Sequence, residues 1–105
     1  MREINIYEKI GNKDFAENKD IGKQIRLEEI MPELEGNNQV VLNFDKIDRA
    51  SQSFIHSLIS DPIRQYGDNV LDSMLFKNCN DKVKEMIKIV LGYLQDAIDN
   101  KDGLS

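Results

Sequence analysis

A chain of 105 residues has room for one domain, and at that size it buries roughly two-thirds of its unfolded surface without help from disulfides or metal. Apolar residues make up 40% and charged residues 31%, which sets the chain apart from disordered compositions. The 19 acidic and 14 basic residues leave a formal net charge of −5, which argues against general affinity for nucleic acid or anionic membranes, since a phosphate backbone needs a basic face.

Three strand-then-helix pairs are expected in chain order. Ile4 to Ile10 alternates weakly and reads as a first strand that breaks at Gly11. Asn12 to Lys19 is polar and reads as a loop. Asp20 is the expected cap of a first helix, whose apolar stripe is Ile21, Ile25, Ile30, Met31 and Leu34. Pro32 disturbs its end, and Gly36-Asn37-Asn38 stops it. Val40-Val41-Leu42-Asn43-Phe44 is the strongest strand, and its near-continuous apolar run predicts a central strand covered on both faces.

A second helix is expected from Ser51-Gln52-Ser53 onward, carrying Phe54, Ile55, Leu58, Ile59, Ile63 and Tyr66, with Pro62 kinking it or ending its regular part. Gly67-Asp68-Asn69 reads as a turn, and Val70 to Phe76 as a third strand interrupted by Asp72 and Ser73. The last helix has the cleanest spacing, from Val83 through Met86, Ile87, Val90, Leu91 and Leu94 to Ile98, capped by Asn80 or Asn78. Asn100 to Ser105 reads as a fraying polar tail. The fold class expected is therefore α/β, a small mixed or parallel sheet packed by helices in βαβαβα order.

Catalytic patterns are sparse. None of the six glycines forms a phosphate loop. Cys79 is the only cysteine, so no intrachain disulfide can form, and with His56 as the only histidine a zinc site lacks ligands. Neither a metal nor a cofactor is expected, and an enzyme built on Cys79 or His56 ranks last, because no base, oxyanion site or metal set accompanies them. No signal-like apolar core and no run near ~20 apolar residues is present, so the expected compartment is the cytoplasm. One segment has a sharper reading. A buried strand ends at Phe44, and two hydroxyls, Ser51 and Ser53, stand at a helix start. Either can cap the helix, and a phosphate added there would meet free backbone N–H groups and the positive end of the helix dipole.

The run from Val40 to Ile59 resembles the STAS domain of sulfate transporters and anti-sigma-factor antagonists. Ile21-Gly22-Lys23-Gln24-Ile25-Arg26, Ala50-Ser51-Gln52-Ser53-Phe54 and Phe76-Lys77-Asn78-Cys79-Asn80 resemble, more closely still, a bacterial STAS-like family of unknown function. In antagonist domains the helix start reads Asp-Ser-Ser-Gly and a kinase-type anti-sigma factor phosphorylates its second serine. That resemblance puts Ser53 at the phosphoacceptor position, with Ser51 and Gln52 in place of Asp and Ser and with Phe54 in place of Gly. It implies a non-catalytic regulatory module, a monomer or weak dimer, that binds a histidine-kinase-type ATPase or other regulatory protein. Asp48, Ser51, Gln52, Ser53 and His56 are the expected docking residues, on a face running from Ser51 to Ile63. The alternative is a sensor of a nucleotide or lipid, held at the strand ends near Asn43, Asp45 and Asn78.

Overall fold

The computed structural model describes residues 1–104, with the side chains of residues 1–67 and 69–95. Strand β1 (Arg2–Asn5) leads into a single helical turn, α1 (Ile6–Lys9). A two-residue strand β2 (Phe15–Ala16) precedes α2 (Lys19–Ile25), which continues through a π-helical turn (Arg26–Ile30) into α3 (Met31–Glu35). Then follow β3 (Val40–Asn43), β4 (Arg49–Ala50), α4 (Gln52–Tyr66), a 3-10 turn (Asp68–Asp72), β5 (Met74–Lys77) and α5 (Asp81–Leu104). The expected tail over residues 100–105 lies outside the residues whose side chains are described.

The main sheet is parallel, in the order β1-β3-β5, and β2 pairs with β4 in a second parallel ribbon. The α/β class expected from the sequence is the one observed, and β3 is indeed the central strand. Its four residues are all buried. Because side chains alternate across a strand, Ile4, Val40, Leu42 and Met74 share one face, and all four belong to the hydrophobic core. Helix α4 contributes Phe54, Ile55, Leu58, Ile59 and Ile63 to that core, α5 contributes Val83, Ile87, Val90 and Leu94, and α4 packs against both α2 and α5.

Strand β3 is covered on both faces as expected, with Val41 6% and Asn43 8% exposed on the second, although Val41 lies outside the core cluster and its neighbour Leu75 is 38% exposed. A polar bridge crosses this face. Lys77 Nζ lies 3.1 Å from Glu3 Oε1, and Asn43 Nδ2 donates to Glu3 Oε2 at 3.3 Å. The unbroken apolar run of β3 therefore reflects a central place in the sheet, with one helical layer and one polar lid.

Four local expectations are corrected. The first strand ends at Asn5, whose side chain accepts the Glu8 N–H at 3.0 Å and turns the chain into α1. Ile6 and Ile10 are both buried, and a separation of four residues fits a helical turn as well as an alternating strand. The cap of α2 is Asn18 rather than Asp20, its Oδ1 accepting from Asp20 at 2.9 Å and Ile21 at 3.3 Å. The segment read as a loop holds β2, which forms through a distant partner: the Asp14 carbonyl accepts N–H groups of Asp48 and Arg49. The third strand begins at Met74, because Val70 lies in the 3-10 turn and Asp72 and Ser73 mark the boundary.

The prolines act as breakers only in part. Pro32 has no N–H for a four-residue bond back to Glu28, and just before it the helix widens, with Met31 N–H bonded five residues back to Arg26. Pro62 does not end α4, which runs on to Tyr66 and closes where Gly67, at φ 76°, donates to Ile63 at 2.7 Å. Among the described residues, no helix is long and apolar enough to cross a membrane.

Candidate functional site

Helix α4 starts at a defined cap. Ser51 is extended, at φ −76° and ψ 158°, and its Oγ accepts the Phe54 N–H at 3.1 Å. The same oxygen lies 3.5 Å from the Glu17 carbonyl and 3.2 Å from Ser53 Oγ. The Ser51 and Ser53 hydroxyls share one hydrogen bond beside the cap. The cap is thus Ser51, while Gln52 and Ser53 are exposed. The buried stripe of α4 turns Ser53, His56 and Ser57 to the other side at three- and four-residue spacing, and Ser60, itself buried, continues the row at the floor of the groove.

That polar row faces α2. Lys19, Lys23 and Arg26 recur at four and three residues along one side of α2 and its π-helical extension. The helices approach closely because residue 22 is glycine. A Cβ there would lie 1.9 Å from Ser57 Oγ and 3.3 Å from the Phe54 carbonyl. Ser57 Oγ itself donates to the Phe54 carbonyl at 2.6 Å. Arg26 closes the far end, donating from Nη1 to the Ser57 carbonyl at 3.2 Å and lying 3.3 Å from Asp61 through Nη2. Between them lies an open groove of about 880 Å³. Its lining residues are all charged or polar, three cations and one carboxylate (Asp20) among them, though much of the surface they present is the carbon of their side chains.

Of the docking residues expected from the sequence, Ser51, Gln52, Ser53 and His56 come together on this groove. Asp48 does not. It sits beside β4 on the α5 side, 3.4 Å from Lys82 Nζ and 3.7 Å from Arg49 Nε, and its carbonyl accepts from Asn80. Lys19, Lys23 and Arg26 were missed as groove residues. Lys19 read as part of a loop ahead of the helix, and nothing in the sequence places α2 alongside α4.

The strand-end residues considered for a sensor are engaged with one another. Asn43 Oδ1 accepts from the Asp45 N–H at 2.9 Å and from Asn78 Nδ2 at 3.1 Å, and its Nδ2 donates to Glu3. Cys79 is half-buried, with Lys84 beside a small pocket of about 380 Å³. Burial pushes its thiol up, outweighing the opposing effect of Lys84, so the reactive thiolate is disfavoured. Among the described residues, no three His, Cys, Asp or Glu side chains converge to hold a metal ion.

No curated protein and no solved structure matches the chain. A family model described as a STAS-like domain of unknown function (DUF4325) matches residues 22–84. The matched span is more than half of the chain and runs from Gly22 at the α2–α4 contact, through the Ser51-capped helix, to the first turn of α5. The chain therefore belongs to the STAS-like domain family of unknown function.

Proposed function

We propose that this protein is a non-catalytic regulatory module of the cytoplasm that docks a histidine-kinase-type ATPase through the start of α4. The observation that carries the reading is the arrangement at that helix. Ser51 is occupied as the cap, which leaves Gln52 and Ser53 exposed beside His56 on one continuous polar surface. A helix start with an exposed hydroxyl offers a partner both shape and hydrogen bonds, and the unused N–H groups there would favour a phosphate on Ser53. Lys19 and Lys23 on the same groove add positive charge near that position. The nucleotide or lipid reading has less support, because the Asn43 side chain is already engaged by Asn78, Asp45 and Glu3.

The test is to mix the chain with ATP and a histidine-kinase-type ATPase, then follow co-elution and intact mass. Wild type is expected to co-elute and, on phosphorylation, to gain the mass of one phosphate. Ser53→Ala should co-elute without the gain, and Ser53→Arg should lose the complex while keeping its thermal midpoint. A complex that survives Ser53→Arg unchanged would move the docking face elsewhere.

A further inference from the structure

We propose that the α2–α4 groove seats an extended acidic segment of the partner, with Lys19 and Lys23 as the cations that read it. The proposal rests on the docking face above and names the chemistry that face recognises.

Three observations select this occupant. The first is charge: on a molecule of net charge −5, the groove concentrates cations, and neither Lys19 nor Lys23 has an ion-pair partner among the described residues. Arg26, by contrast, is held by Asp61 and the Ser57 carbonyl and shapes the end of the groove. The second is spacing. Four helical residues put Lys19 and Lys23 about 6 Å apart along α2. Alternate side chains on an extended strand repeat about every 6.6 Å, so carboxylates two residues apart on such a segment meet the two lysines in turn. The third is composition. Every lining residue is charged or polar, with His56 the one aromatic ring, so the groove holds no aliphatic residue to anchor a lipid chain. The facing Ser53 and His56 supply polar groups for the backbone of the segment.

Fluorescence anisotropy with a labelled peptide of alternating Glu and Ser tests this at low salt. Saturable binding is expected, with about a tenfold loss in Lys19→Gln/Lys23→Gln, as two exposed ion pairs of ordinary strength would give. Lys84→Gln/Lys88→Gln on α5 should leave it within about twofold. A peptide of alternating Lys and Ser should not bind. Three results overturn the proposal: no saturable binding, equal losses in the two variants, or displacement by inorganic phosphate at the peptide's own concentration, which would make the groove a site for small anions. Co-elution of the Lys19→Gln/Lys23→Gln variant with the ATPase at wild-type strength overturns the acidic occupant alone. Loss of the docking face itself is read separately, from Ser53→Arg.

Discussion

Ser51 and Ser53 stand two residues apart with the same side chain, and their surroundings give them different work. Ser51 Oγ satisfies one of the free N–H groups that every helix start leaves. Ser51→Ala is expected to lower stability by about 1 kcal/mol, read from a urea midpoint at unchanged slope. Ser53→Ala makes no such bond to lose and should stay within about 0.5 kcal/mol of wild type. The reverse order would exchange the cap and the exposed hydroxyl. From the sequence either serine can cap, because the choice turns on where the chain leaves β4, and β4 exists only through its pairing with β2. Asn18 and Asp20 pose the same difficulty one helix earlier, where two good capping residues compete and the backbone chooses the first.

At the scale of elements, the groove depends on how near α2 lies to α4, and Gly22 sets that distance. Alanine is the better helix former by about 1 kcal/mol, so on an isolated helix Gly22→Ala would stabilise. Here its methyl meets Ser57 Oγ, Ser57 Cβ and the Phe54 carbonyl, and the helices must part. Gly22→Ala is expected to cost about 1–3 kcal/mol net, as overpacking does elsewhere. Adding Ser57→Ala should recover only part, because the Phe54 carbonyl remains; full recovery would show that the hydroxyl alone sets the approach. The elements with long stripes were legible: α4, α5 and the buried strand β3 all lie where their periodicity puts them. Those misread are short. Ile4 and Ile6 share a burial pattern that crosses a strand–helix boundary, and Val70 is buried from a 3-10 turn rather than a strand. The basic row of α2 was not read from the sequence, because Lys19 was assigned to a loop and the groove wall follows only from the α2–α4 packing.

For the whole molecule, the first and second segments are tied by a carboxylate. Glu29, 9% exposed, receives Arg2 from β1 and Lys9 from α1, the latter at 2.8 Å. Burial alone would raise its pKa, but the bonds from Lys9 and Arg2 together hold it below the usual carboxylate range. A carboxyl depressed in the folded state contributes stability above its unfolded pKa and loses that contribution as pH falls through the folded value. Glu29→Gln is therefore expected to cost about 1–2 kcal/mol near neutrality, less than a fully buried pair since both cations are half-exposed. Its stability should also fall less steeply than wild type in acid. Parallel acid limbs for the two proteins would assign the pH dependence to other groups.

The central claim is that a partner covers the α2–α4 groove and the start of α4, and hydrogen exchange across the whole chain addresses it most directly. Exchange is compared for the protein alone and in complex with the histidine-kinase-type ATPase. Slowed exchange is predicted over residues 19–26 and 51–60, with α5 and the Glu3–Lys77 face of the sheet unchanged. Protection confined to α5 or to that sheet face, with the groove exchanging as in the free protein, would contradict the account.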